Sequence, residues 1–175
     1  MRVLGAILAG GQSRRFGSDK AGALLDGRTL IDHVRAALSR QTAAIIVCGR
    51  PGYGPVIEDR PRSGLGPLGG LCAALAYGGA SGFDAVLSVP CDTPDLPDDL
   101  LTRLSRAPLP AFVAELPVIG LWPCALSPLL DAHLERSEDR SLRAWARAAG
   151  AHAVELVAVP TNINSPDDLS AYRHG

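Results

Sequence analysis

Residues Val3 to Leu8, reading VLGAIL, form an almost wholly apolar run that stops at a pair of glycines, Gly10 and Gly11. The run has the length of a strand. Apolar character without alternation belongs to a strand covered on both faces, as in a mostly parallel sheet between helices. Parallel neighbours need crossover connections, so helices must separate the strands. Leu30, Val34 and Leu38 recur at helical spacing behind Thr29, an N-cap residue with Asp32 three positions on, which predicts a helix to about Arg40.

The same alternation continues along the chain. Ala44 to Val47 reads as a second strand, and Ala85 to Val89 as a third that ends at Pro90-Cys91-Asp92. Between them Pro67 opens a helix and Gly78-Gly79 close it; Leu68, Leu71, Leu75 and Ala76 make it apolar nearly all round, so it should be buried. Asp98 to Leu104 is a short helix whose acidic start, Asp98 and Asp99 with Asp95 before them, suits the macrodipole. Beyond residue 108, Ala111 to Glu115 and Val118 to Leu121 read as strands that pair antiparallel across Leu116-Pro117. Pro128 to Leu134 and Leu142 to Ala149 are helical, Gly150 ending the second; Ala153 to Val157 is a strand, and Pro166 to Tyr172 a closing helix. The expected fold is α/β, a three-layer αβα sandwich with a mostly parallel sheet and one antiparallel strand, in a single domain spanning 1–175.

Composition narrows the partners. Of 175 residues 47% are apolar and 20% charged, values of a globular chain, and the net charge of -1 leaves no electrostatic footprint for nucleic acid or an anionic membrane. No apolar stretch reaches the roughly 18 residues of a membrane span, and the first eleven residues lack a cleavage-like sequence, so they read as a buried strand rather than a signal peptide. Cys48, Cys72, Cys91 and Cys124 contain no CxxC pair. They read as reduced, partly buried residues, which fits a cytoplasmic setting.

In an open α/β sheet the loop leaving the first strand is a favoured ligand site. Gly10 and Gly11 occupy it, where successive backbone N–H groups can point at an anion, and Arg14, Arg15 and Lys20 follow as cationic donors. A triphosphate suits that set. The segment is neither a Walker A loop nor GxGxxG, and by itself a glycine turn with solvated basic residues fits it equally well. Asp92, at the end of the third strand, is placed to hold Mg²⁺, which takes one or two carboxylates and keeps several waters. Asp59, with Glu58 beside it, precedes the turn into the buried helix.

The string LAGGQSRRFGSDKAGALLDGRTLIDHV resembles the opening signature of nucleotidyltransferases with a Rossmann-like sheet, Phe16 standing where methionine is usual. VIEDRPRSGLGPLGGL is similar to the segment whose aspartate helps bind base and ribose, here Asp59. With VPCDTPDLPDDL, PVIGLWPCAL and NINSPDDL in order, the resemblance sharpens to the molybdenum cofactor guanylyltransferases. It implies transfer of GMP from GTP to the phosphate of molybdenum-bound molybdopterin, giving molybdopterin guanine dinucleotide and pyrophosphate. Carried over by position, it implies GTP contacts at Leu8, Ala9, Gly10, Gly11, Lys20, Asp59 and Asp92, catalytic roles for Lys20, Arg15 and Asp92, and Mg²⁺ on Asp92. Trp122, Asn162 and Asn164 fall where the second substrate would lie. Each keeps a plainer reading: core packing for the indole, helix capping for the asparagines. The asparagine that the family often has after the second strand is missing, VCGR standing there, so base selection is left open. Its rivals are a cytidylyltransferase of the same cofactor, a sugar-phosphate nucleotidyltransferase, or a nucleotide-binding cofactor chaperone without turnover. The resemblance also implies transient contacts with other cofactor-biosynthesis proteins or the acceptor molybdoenzyme. His133, in SPLLDAHLER, reads as a surface helix residue.

Overall fold

The computed structural model describes residues 1–10, 23–53 and 56–174. Its centre is a seven-stranded sheet of β1 (Val3–Leu8), β4 (Ala44–Cys48), β5 (Val56–Ile57), β6 (Ala85–Pro90), β7 (Ala111–Val113), β8 (Gly120–Pro123) and β9 (His152–Val154), in the order β5-β4-β1-β6-β8-β7-β9. A hairpin of β2 (Leu24–Leu25) and β3 (Arg28–Thr29) stands apart from it. β1 pairs in parallel with β4 on one side and β6 on the other, whereas β8 runs antiparallel to both β6 and β7. β8 is therefore the reversed strand, and the expected antiparallel pairing across Leu116-Pro117 is present, in register Ala111 to Leu121 and Phe112 to Gly120.

Side chains of β1 alternate between two cores. Val3 and Ile7 join the one under helices α1 (Leu30–Ser39) and α3 (Leu100–Ser105), while Leu4, Ala6 and Leu8 join the other. That second core lies under α2 (Gly66–Ala80), α4 (Ser127–Arg136) and α5 (Leu142–Ala148). Three layers result. A slip of one residue would exchange the two sets, so both cores hold β1 in register. At the head of α1 the Thr29 hydroxyl accepts from the Asp32 N–H at 3.3 Å and donates to the Asp32 carboxylate at 2.6 Å, the expected cap.

Several boundaries differ from the sequence reading for physical reasons. α2 does not close at Gly78-Gly79 but runs to Ala80, because Gly78 serves helix packing: a Cβ there would stand 2.9 Å from Cys124 Sγ. α3 starts at Leu100, with Asp99 at its N-cap position but bonded through its carboxylate to Arg103, and Asp98 paired to Arg40. β9 ends at Val154, and Val157 is 98% exposed. Helix α6 (Pro166–His174) closes the chain, packing Leu169 and Tyr172 against Leu25, Leu30 and Ile163.

Candidate functional site

The carboxyl ends of β1, β4 and β5 meet at two glycines. Ala9 N–H continues the pairing to the Cys48 carbonyl at 3.0 Å, and Gly49 N–H bonds the Ile57 carbonyl at 3.1 Å. Backbone therefore lies against backbone where β1 and β4 end: a Cβ on Gly49, whose φ is +79°, would stand 2.7 Å from Gly10 Cα. Helix α2 approaches with the same economy. A Cβ on Gly69 would lie 3.1 Å from Asp59 Cβ, and one on Gly70 would lie 3.0 Å from Cys48 Cβ. Four glycines thus clear the space around the Asp59 carboxylate.

Asp59 is held in that space. It accepts hydrogen bonds from the backbone of Gly64 and Leu65, yet its buried Oδ1 has no hydrogen-bond partner among the described residues. Burial pushes its carboxyl above the usual range, and the two backbone bonds pull the other way. The neighbouring Cys48 thiol is pushed up to about 12 by burial and then by the Asp59 charge, so it stays neutral. Beside them opens a cavity of about 990 Å³ lined by Gly10, Gly49, Arg50, Glu58, Asp59 and Arg62 among others. Its size and its mixed acidic and basic rim suit a nucleotide.

Asp92 lies in the turn after β6 and is 7% exposed. Thr93 beside it is fully buried with an unpartnered hydroxyl, and the Ile163 N–H donates to the Asp92 carbonyl at 2.9 Å. That last bond brings Asn162, whose buried Oδ1 also lacks a partner, alongside the turn. Asn164 belongs to the cap of α6: its N–H donates to Asp168 at 2.8 Å, and Asp168 N–H donates to Ser165 at 3.1 Å. The two asparagines stay in contact, Asn164 Nδ2 donating to the Asn162 carbonyl at 3.5 Å, but only Asn162 lies beside the Asp92 turn. Among the described residues no three of His, Cys, Asp and Glu group as a metal site.

Trp122 corrects an expectation. Its indole is fully buried in the core under α2, 6.0 Å from Trp145, and its Nε1 donates to Ser88 at 3.0 Å, so it has no open face for a pterin. Asp95, read as part of a helix start, instead accepts from Thr161 N–H through both oxygens at 2.9 and 3.1 Å. His133 is half-buried against Trp145, at 5.7 Å between rings, rather than a surface residue. Gly11, Arg14, Arg15 and Lys20 lie outside the described residues. Gly49, Gly69 and Gly70 were missed as site residues, although a glycine directly after a strand end was a usable signal.

Residues 5–155 match the family described as MobA-like NTP transferase domain. The chain belongs to that family. A MobA-like NTP transferase is a nucleotidyltransferase, and this member is 41% identical to the molybdenum cofactor guanylyltransferase of Rhodobacter capsulatus, over 97% of this chain and 94% of that one. The solved structure of molybdopterin-guanine dinucleotide biosynthesis protein A from Archaeoglobus fulgidus aligns with a TM-score of 0.75 at 20% identity, covering 99% and 97% of the two chains. Rv0371c from Mycobacterium tuberculosis, solved in complex with manganese, aligns with a TM-score of 0.63 at 16% identity, covering 99% and 97%. These two likenesses establish the MobA-like sheet and its Rossmann-like topology. No helix among the described residues is long and apolar enough to cross a membrane.

Proposed function

We propose that the chain transfers GMP from GTP to the phosphate of molybdopterin, releasing pyrophosphate and forming molybdopterin guanine dinucleotide. The observation that carries this reading is its 41% identity to a guanylyltransferase across nearly the whole of both chains. The cradle of Gly10, Gly49 and Asp59 supports the nucleotide half. There the unpartnered Asp59 Oδ1 is an acceptor for donors on the base or ribose. Gly10 and Gly11 would offer backbone N–H groups to the phosphates, with Arg15 and Lys20 neutralising the charge that gathers on the departing pyrophosphate.

The residues fit a divalent cation of the magnesium type. Asp92 supplies one buried carboxylate at a strand end, the hard oxygen ligand that such an ion takes. Asp92 would hold it, and the ion would supply positive charge to offset that of the phosphates. An acceptor phosphate is already ionised near neutral pH, so its oxygen attacks the α-phosphorus in line without a general base. Positioning of the two substrates supplies the acceleration. Asn162 stands beside the Asp92 turn, where the acceptor would enter.

Release of labelled pyrophosphate from GTP, with and without molybdopterin, tests the proposal. Release that depends on molybdopterin and favours GTP over CTP is expected. GTP binding without release contradicts catalysis, and faster turnover with CTP contradicts the guanylyl assignment.

A further inference from the structure

The stretch from Thr161 to Ile163 touches two parts of the site that come from distant sequence. Its main chain grips the turn after β6: Thr161 N–H donates to the Asp95 carboxylate at 2.9 and 3.1 Å, and Ile163 N–H donates to the Asp92 carbonyl at 2.9 Å. Its side chain grips something else. Ile163 is fully buried in a small core of its own with Leu25 of β2 and Leu30 at the head of α1, closed by Ala23, Leu169 and Tyr172. Ala23 and Leu25 belong to the β2–β3 hairpin that leads into α1, and Leu169 and Tyr172 to α6. Tyr172 repeats the bridge, since its hydroxyl is pushed up by burial and then by Asp95 from the turn and Asp26 from the hairpin.

We infer that Ile163 is a positioning residue: through its N–H on the Asp92 carbonyl and its side chain in the hairpin core, it sets where the Asp92 turn stands against the β2–β3 hairpin. The inference rests on the nucleotidyl reading above, in which Asp92 would hold the metal ion. Ile163 is assigned no contact with substrate. Its effect is geometric, and a misplacement of about 1 Å at a reacting centre is worth about 10²-fold in rate.

The test uses the whole chain with Mn²⁺ and GTP, reading free Mn²⁺ by electron paramagnetic resonance beside kcat and KM for pyrophosphate release. Ile163→Ala should weaken Mn²⁺ binding in the GTP complex and lower kcat, each by about tenfold, while Ile163→Val, which keeps the branch at Cβ, should stay within about twofold of wild type. Asp95→Ala keeps every apolar side chain of the Ile163 core and loosens the same strap, so it should weaken Mn²⁺ binding by about threefold. Folded Ile163→Ala and Asp95→Ala chains that bind Mn²⁺ as wild type does overturn the inference. If Ile163→Ala does not fold, Asp95→Ala alone decides in the same way. The two readings fail separately. A wild-type chain that releases no pyrophosphate, but whose Mn²⁺–GTP binding needs Asp92 and weakens in Asp95→Ala, loses the enzymatic proposal and keeps the positioning one. Normal release with Mn²⁺ binding unmoved by either strap variant does the reverse.

Discussion

Gly49 and Gly10 lie so close that a single methyl on Gly49 would stand 2.7 Å from the other residue's Cα. Two costs follow from Gly49→Ala. The left-handed φ of +79° costs an L-residue about 1–2 kcal/mol, which lowers Tm by about 2–4 °C per kcal/mol in a chain of this size. The contact then displaces Gly10 from the nucleotide side, so GTP affinity should fall further than stability. Gly150→Ala provides the comparison, since Gly150 has a φ of +65° with open space around it: it should melt lower yet bind GTP normally. Thermal melts and a GTP titration check both, and unchanged GTP affinity in a folded Gly49→Ala chain contradicts the cradle.

Asp59 sets stability against binding. Its folded carboxyl is raised above 3.8, chiefly by burial, so the protonated form is favoured by folding. Its contribution to stability is therefore greatest below the unfolded value and is lost as pH rises through the raised one. Asp59→Asn keeps an acceptor for the Gly64 and Leu65 N–H groups without the charge. At pH 7 this variant should melt higher than wild type and bind GTP more weakly, and the difference in Tm should shrink towards pH 4. A Tm difference that is constant from pH 4 to 8 contradicts the burial argument.

Ser88 holds the fully buried Trp122. Its hydroxyl accepts from the indole N–H at 3.0 Å and donates to the Val118 carbonyl at 2.8 Å. Ser88→Ala strands that indole N–H in the core, a cost of about 1–3 kcal/mol. Chemical denaturation should show the loss, with KM for GTP unchanged because Ser88 lines no part of the nucleotide cavity.

Asp92→Ala should reduce turnover on the order of 10²-fold or more, as expected when one group aimed at developing charge is removed. The fold should survive, as judged by circular dichroism. Lys20→Ala should weaken GTP binding in particular. Wild-type turnover in the Asp92 variant would remove it from the metal role.

Much of the architecture could be read in advance because its signals are local. The strand at Val3–Leu8, the Thr29 cap and the reversed pair around Leu116-Pro117 each lie within a few residues of what determines them. What stayed hidden depends on partners far away in the chain. Gly78 looks like a helix stop until Cys124 is packed against it, and Asp95 looks like a helix start until Thr161 arrives. Trp122 was ambiguous for another reason: its sheet is covered on both faces, so an aromatic on β8 meets core whichever way it points. At the site, Asp59 and Asp92 were recognisable as acids at strand ends, whereas the glycines that make room for Asp59 have no side chain with which to announce themselves.

The reversed strand β8 divides the molecule's labour. Gly10, Gly49, Asp59 and Asp92 all come from β1, β4, β5, β6 and the turns that follow them, a block of parallel strands complete before residue 93. Within the sheet, the strands beyond β6 are joined to that block through one antiparallel seam, β6 against β8. Such a seam makes the ladder of β1, β4, β5 and β6 indifferent to how far the later strands extend. They can lengthen without shifting the register at the candidate site, provided one still arrives at β6 running the opposite way.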